Sequence, residues 1–298
     1  MAEPRSVVIT GASRGLGLAS AAHLYQQGWR VVGAMRSPDA GLERLRAATG
    51  AAAGEPRLIS VRLDLEDPSS IVDAAKAIEE AVGAPDVLVH NAGIAAAGSA
   101  EDMPSDAFEG IFRTNLFGPV RLTKALLPSM RAAGRGRIVV ISSQGGIRGM
   151  PAISAYSASK GALERYAESL AQEIAPFGLG VTVLVAGTFA TDILTEQTPH
   201  YGDPSGPYAR HYSTIDSRGR AAVDRLANPP ERFAEALARV LDEQAPFARH
   251  AVGIDAHMLM LGNRLLPGRL LHDWIRRAMG LPAHGELRSP TKKESERQ

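Results

Sequence analysis

Tyr156 and Lys160 stand four residues apart in the run "YSASK", and Ser143 lies shortly before them in "ISSQGG". Side chains four apart share one face of a helix, so the phenol and the ammonium can act on one ligand together. A phenol of pKa about 10 is a poor base at neutral pH, and a cation within about 4–6 Å lowers such a value by roughly 1–3 units. Lys160 is therefore expected to bring Tyr156 into the working range of a general acid/base, with Ser143 hydrogen-bonding a substrate oxygen. Tyr and Lys at this spacing also occur on solvated helix faces. The chain argues otherwise: its lysines are Lys76, Lys124, Lys160, Lys292 and Lys293, and arginine serves almost everywhere else. A compact ammonium shifts a neighbour's pKa in a way a bulky guanidinium does less well.

These groups need a scaffold. Short β-branched runs at 6–10, 29–35, 57–63, 86–90, 136–142, 180–186 and 250–254 alternate with helical stretches near 15–27, 40–48, 68–82, 105–132, 155–177 and 229–244. Most of the runs are apolar with little alternation, the pattern of strands covered on both faces. The expected fold is α/β: a single-domain, doubly wound Rossmann-type parallel sheet of about seven strands, helices on both faces and a carboxyl-terminal helical extension. Residues 1–255 would form the catalytic unit with a substrate loop near 192–228, residues 256–281 the extension and 282–298 a polar, frayed tail.

Composition excludes several functions. The 298 residues, 45% hydrophobic, suffice for a sizeable core, and a formal net charge of +1 gives no electrostatic case for nucleic acid. The absence of cysteine removes disulfides, thiolate metal sites and a thiol nucleophile, no metal is expected, and the chain reads as soluble and cytoplasmic. No apolar leader opens it and no 18-residue apolar run follows.

In such a sheet ligands bind beyond the carboxyl ends of the strands. The first strand leads into "TGASRGLG", where Gly11, Gly15 and Gly17 let the backbone approach a pyrophosphate at a helix N-terminus. Glycines also close ordinary strand-to-helix turns, but this position favours the phosphate reading. At the end of the second strand, where an acid would bind ribose hydroxyls, the chain reads "GAMRS". Arg36, with Arg14 of the glycine loop, can instead pair with a 2′-phosphate, so NADP(H) is favoured over NAD(H), although either arginine could be a solvated surface charge.

The motifs together resemble the short-chain dehydrogenase/reductase family, in the subgroup with TGxxxGxG and YxxxK. They run in order over roughly residues 5 to 191: Thr10 to Gly17, Asp64–Leu65, "NAG" at Asn91–Gly93, Asn115 in "TNLFG", Ser143 and Tyr156 to Lys160. The resemblance implies that Tyr156 exchanges the proton, Lys160 also binds the nicotinamide ribose, Ser143 stabilises the substrate oxygen and Asn115 helps hold a relay water. It places Gly11, Ser13, Arg14, Gly15, Leu16, Gly17, Arg36, Asp64, Leu65, Asn91, Ala92, Gly93, Tyr156, Lys160, Gly187, Phe189 and Thr191 around the cofactor. The family's usual proline after the sixth strand is replaced by Ala186, which implies a looser turn with Gly187 and Thr191 retained. His90 stands where asparagine is frequent, and a hydrogen-bonded structural part is expected for it.

"SQGGIRGMP" resembles members acting on 17β-hydroxysteroids, retinoids and other apolar carbonyls. Tyr201, Tyr208 and Tyr212, near His200 and His211, suggest a lid with an aromatic inner wall, or a packed surface loop. The implied reaction interconverts a secondary alcohol and ketone, or an alcohol and aldehyde, on a small apolar, steroid- or lipid-like substrate. A nucleotide-sensing scaffold without turnover would not need Asn115, Ser143, Tyr156 and Lys160 together. An epimerase or dehydratase is opposed by the glycine spacing and by the lack of a large second domain. The Pro-interrupted amphipathic segment from His257 to Leu281 would fold over the substrate cleft; a subunit contact, a membrane contact and a merely solvated helix are its alternatives. A homodimer through 105–132 and 155–177 is expected.

Overall fold

The computed structural model describes residues 4–191, 193 and 198–286. Part of the expected substrate loop, 192 and 194–197, and most of the expected tail, 287–298, lie outside the described residues. Seven strands, β1 (Ser6–Thr10), β2 (Arg30–Met35), β3 (Leu58–Arg62), β4 (Val87–His90), β5 (Gly136–Ser143), β6 (Leu179–Ala186) and β7 (Phe247–Val252), form one sheet in the order β3-β2-β1-β4-β5-β6-β7. Every adjacent pair is parallel. The order reverses direction between β1 and β4, which opens the crevice where such sheets take ligands.

Burial explains why the central strands are apolar without alternation. Val8 and Leu88 face one core, with Leu122 and Leu163 of the covering helices, while Ile9 and Val89 face a second core with Leu24 and Phe233. Adjacent residues of a strand point to opposite faces, so both faces demand apolar side chains. The crossovers are α1 (Gly15–Gln26), α2 (Pro38–Thr49), α3 (Pro68–Val82), α4 (Ser105–Phe112), α5 (Gly118–Ala133), α6 (Gln144–Ile147), α7 (Ser154–Ile174), α8 (Ala209–Leu226) and α9 (Pro230–Val240). α3 shows the local logic: Pro68 opens it, and the Asp67 carboxylate accepts the Ser69 amide at 2.9 Å.

Three expectations need correction. β7 begins at Phe247 and ends at Val252, where 250–254 was expected; its register on β6, from Val181 opposite Phe247 to Ala186 opposite Val252, decides this. The strand is half-covered and carries Arg249 and His250, which obscured its pattern, and Gly253 at φ 106° ends it. The single helix expected over 105–132 is two helices joined by a π turn at Arg113–Phe117, which holds Asn115. In the region expected to be a loop, 209–226 is helix α8. The end of the chain folds as α10 (Ile254–Leu265) and α11 (Gly268–Ala278), broken at Pro267 where the sequence expects it.

Candidate active site

The ends of β1 and β4 are joined by side chains. Thr10 Oγ1 accepts the amides of Asn91 and Ala92, each at 3.0 Å, and donates to the Val89 carbonyl at 3.3 Å. Asn91 Nδ2 donates to the carbonyls of Thr10 at 2.9 Å and Gly11 at 3.3 Å. The glycine turn depends on this approach. Gly11, at φ 70°, has no room for a Cβ, which would stand 2.9 Å from Ala92 Cα, and a Cβ on Gly17 would overlap the Gly11 carbonyl oxygen.

A cleft of about 1310 Å³ opens over these strand ends. Gly11, Ser13, Arg14, Gly15, Leu16, Arg36, Asp64, Leu65, Asn91, Ala92 and Gly93 line it on one side; Ser143, Tyr156, Lys160, Gly187, Phe189 and Thr191 line it toward the other. Gly17 and Asn115 do not reach the cleft surface. Gly17 serves close packing. Phe189 turns its ring edge-on to Phe233 at 5.5 Å, so it braces the wall against α9. Arg14 and Arg36 are exposed. Arg44 of α2, not singled out in the sequence, joins them at the cleft, its Nη1 3.5 Å from the Ser13 carbonyl. It lies two turns into the helix after "GAMRS", beyond the strand-end position inspected.

At the other end the groups are buried. Tyr156 is 6% exposed and Lys160 is 3% exposed. Lys160 Nζ donates to the Ile141 carbonyl at 2.8 Å and lies 5.9 Å from the centroid of the Tyr156 ring. A Cβ on Gly93 would stand 3.3 Å from Asn115 Oδ1 and 3.5 Å from this ammonium, so the "NAG" glycine packs closely against both groups. Burial pushes the Lys160 ammonium down to about 8. Burial also pushes the Tyr156 phenol above its ordinary value, and the hydrogen bond with Ser143 opposes it. This corrects the expectation that the lysine lowers the phenol: desolvation sets the direction, and the opposing contribution comes from Ser143.

Asn115, fully buried, lies behind the wall. Its Oδ1 accepts the Ile94 amide at 2.9 Å, and its Nδ2 donates to the Ile94 carbonyl at 2.9 Å and to Ser159 Oγ at 3.1 Å. The carboxamide thus clamps the chain leaving "NAG" to α7, and the π turn presents it there. π turns inside helices are frequent at functional sites. His90 is buried with Nε2 2.7 Å from Thr123 Oγ1. Burial and then the Lys160 charge push its pKa down to about 3, so the ring is held neutral as an internal hydrogen-bonding group.

The turn after β6, expected to be loose without proline, is tied from two sides. Asp255 Oδ2 accepts the Thr188 amide at 2.7 Å and Gln144 Nε2 at 2.6 Å. The Thr188 carbonyl accepts the Asn228 amide at 3.0 Å. A Cβ on Gly187 would overlap the Asp255 carboxylate, so Gly187 is the residue that admits the tie. Asp255 was missed because it follows β7, far along the chain from the cleft motifs; an acid directly after the last strand was the available signal.

Tyr201, Tyr208 and Tyr212 do not line the cleft, so the expected aromatic inner wall of tyrosines is not formed among the described residues. The Tyr212 hydroxyl donates to Asp102 and accepts the Ser99 amide at 2.9 Å, and the Tyr208 hydroxyl donates to Glu101 at 2.9 Å. These tyrosines anchor α8 to the loop before α4. The substrate side mixes aliphatic side chains, Met150, Ile153, Ile193, Ile215, Ala222 and Val223, with polar Thr198 and His200. On α8 the charged Asp216, Arg220 and Asp224 also reach the cleft, so that helix presents both apolar and charged groups to it.

Known proteins share this arrangement. A family model for short chain dehydrogenase matches residues 5–202. Retinol dehydrogenase 8 of Homo sapiens is 34% identical over 263 residues, covering 85% of this chain and 83% of that protein. A 3-ketodihydrosphingosine reductase of Bacteroides thetaiotaomicron is 33% identical over 280 residues, covering 92% of this chain and 97% of its own. The solved structure of a short-chain dehydrogenase from Streptomyces avermitilis superposes with a TM-score of 0.77 at 34% identity, over 95% of this chain and all of that one. With its glycine turn, buried Tyr-Lys pair and parallel sheet, the chain belongs to the short-chain dehydrogenase/reductase family of oxidoreductases, which act on CH–OH groups with a nicotinamide cofactor.

Proposed function

We propose that the protein interconverts a secondary alcohol and a ketone, or an alcohol and an aldehyde, on an apolar substrate with NADP(H). The observation that carries the reading is the cleft that runs from three exposed arginines to a buried phenol-ammonium pair beside aliphatic side chains that include Met150, Ile153 and Ile215. The residues fit a dinucleotide: a Cβ at Gly11 would have no room, and Gly15 adopts φ 53°, so the backbone is bare where a pyrophosphate would approach.

Gly11 to Gly17 and Asn91 to Gly93 would hold the nucleotide, Arg36 with Arg14 and Arg44 a 2′-phosphate, Lys160 and Tyr156 the nicotinamide ribose, and Gly187 to Thr191 the carboxamide side. Nicotinamide, when bound, supplies or accepts the hydride. Tyr156 gives its phenolic proton to the carbonyl oxygen in reduction and takes it back in oxidation. Ser143, already hydrogen-bonded to that phenol, donates to the same substrate oxygen. Lys160 keeps its ammonium beside the phenol, 5.9 Å from the ring centroid, where it would meet the ribose. Asn115 keeps the chain at Ile94 in place beside them. The named relatives act on a retinoid alcohol and a long-chain keto lipid, which supports an apolar substrate for this cleft.

Purified protein should oxidise NADPH in the presence of bulky apolar ketones faster than with small polar ones, followed by loss of reduced-nicotinamide absorbance. Tight NADPH binding without turnover of any ketone, aldehyde or alcohol would favour a nucleotide-sensing protein and overturn the reading.

A further inference from the structure

The sequence expects the apolar residues beyond His257 to be covered by the cleft. Half of them are. Leu259, Leu271 and Ile275 turn inward and pack with Met279 against Ile147 and Met150. The outer face is apolar too. Ile254, Met258, Leu261 and Leu265 recur along α10, and Leu266, Leu270 and Trp274 continue onto α11; all are between 47% and 67% exposed. A contiguous apolar face of this kind marks a surface that meets something other than water.

Its charges identify the occupant. Arg264 and Arg269 bracket the tip Leu265–Gly268, Arg277 lies exposed a little further on, and the one acidic residue from Ala256 to Ala278 is Asp273, which is half-buried. The tip is fixed to the body: Arg148 Nη2 donates to the Gly268 carbonyl at 2.6 Å. Arg218 of α8 donates to the carbonyls of Arg277 at 3.0 Å and Ala278 at 2.6 Å. We propose that this helical hairpin docks on an anionic lipid surface, the tip and Trp274 entering the headgroup boundary while Arg264, Arg269 and Arg277 meet lipid phosphates. A two-fold contact with a second copy would set the same arginines against each other, three or more cations from each copy against one half-buried acid, Asp273. Crossing the bilayer is not the arrangement, since no described helix is long and apolar enough. Met150 and Met279, under the hairpin, also line the cleft, so the docked face stands beside its mouth and an apolar substrate dissolved in lipid has a short path in. The proposal goes beyond the proposed reaction and stands or falls separately from it.

The test is co-sedimentation with vesicles of phosphatidylcholine alone and of phosphatidylcholine with phosphatidylserine, together with tryptophan emission. Trp29 is buried and Trp274 is 60% exposed, so emission should shift to shorter wavelength on vesicle addition, and Trp274→Phe should remove the shift. The wild type should sediment with the anionic vesicles, and Arg264→Gln with Arg269→Gln should weaken binding on the order of tenfold. Leu265→Ser, Leu270→Ser and Trp274→Ser together should abolish it, while unchanged NADPH binding or thermal unfolding shows that the variant is folded. A wild type that stays in the supernatant with anionic vesicles overturns the proposal. So does a dimer in analytical ultracentrifugation that the triple variant converts to monomer, which would show a second copy covering the face.

Discussion

At one end of the cleft, Tyr156, Lys160 and Asn115 are buried and fixed by the hydrogen bonds of Lys160 to Ile141 and of Asn115 to Ile94 and Ser159. At the other, Arg14 of the glycine loop, Arg36 after β2 and Arg44 of α2 stand open to solvent. The same kind of force, charge acting on a ligand, is exerted in two dielectrics. In the buried end desolvation moves the lysine down to about 8 and the phenol upward, so each group's protonation state is set by the fold. In the open end water and salt screen the arginines, which discriminate between cofactors more weakly and in a way that depends on ionic strength.

If this contrast is right, the largest effect belongs to the buried end. Tyr156→Phe should lower kcat by about 10²- to 10⁴-fold while leaving NADPH affinity nearly intact, as acid/base groups typically contribute that much. A variant keeping more than about a tenth of wild-type kcat in steady-state assays would remove Tyr156 from its place in the contrast.

The next effect tests whether the buried order extends past the Tyr-Lys pair. Asp255→Ala leaves the Thr188 amide and Gln144 without their acceptor, and each lost partner costs about 1–3 kcal/mol. NADPH affinity, read by titration of its fluorescence, should fall about tenfold, whereas 2′,5′-ADP, which reaches only the arginine end, should bind as before. Equal weakening of both ligands would show a general loss of structure.

Arg36→Asp sharpens the open end. It removes a charge-assisted phosphate partner and offers an acceptor to ribose hydroxyls, so the ratio of kcat/KM for NADPH over NADH should fall by about tenfold. The wild-type preference should itself shrink as salt is raised. A wild type that already prefers NADH would contradict the part given to the arginines.

The smallest effect is on stability and again belongs to the interior. Unfolded, His90 takes a proton below about 6.5; folded, it does so only below about 3. Between these values the unfolded chain binds the extra proton, so stability falls as pH is lowered through that window, by at most about 1.4 kcal/mol per pH unit. Urea unfolding of His90→Gln between pH 5 and 7 should show a shallower slope than the wild type. An unchanged slope would mean that His90 is not held neutral.

The fold was legible because its signals are local. Val7–Ile9 and Val183–Ala186 are continuous apolar runs, and buried parallel strands need them. "YSASK" and "TGASRGLG" place their residues by spacing on one helix face or within one turn. What escaped the sequence depends on pairs far apart in the chain. Asp255 meets Thr188 and Gln144 only after β7 has docked on β6, and Tyr212 meets Asp102 only after α8 has folded back. The rise in the Tyr156 pKa was missed for the same reason: it comes from burial by the whole fold, while Lys160 is its visible neighbour. The α10 and α11 stripes were read correctly as apolar, but periodicity cannot distinguish the covered face of Leu271 and Ile275 from the open face of Leu270 and Trp274.

The most direct measurement of the central claim uses NADPH carrying deuterium at both positions of the hydride-bearing carbon of the nicotinamide, in ordinary water, with an apolar ketone that supports turnover. Mass spectrometry of the alcohol should find one deuterium on the carbinol carbon and an exchangeable, solvent-derived proton on oxygen, the latter delivered through Tyr156. With one deuterium passing to the alcohol and the other staying on the oxidised ring, alcohol that accumulates without deuterium on its carbinol carbon would contradict hydride transfer in this cleft.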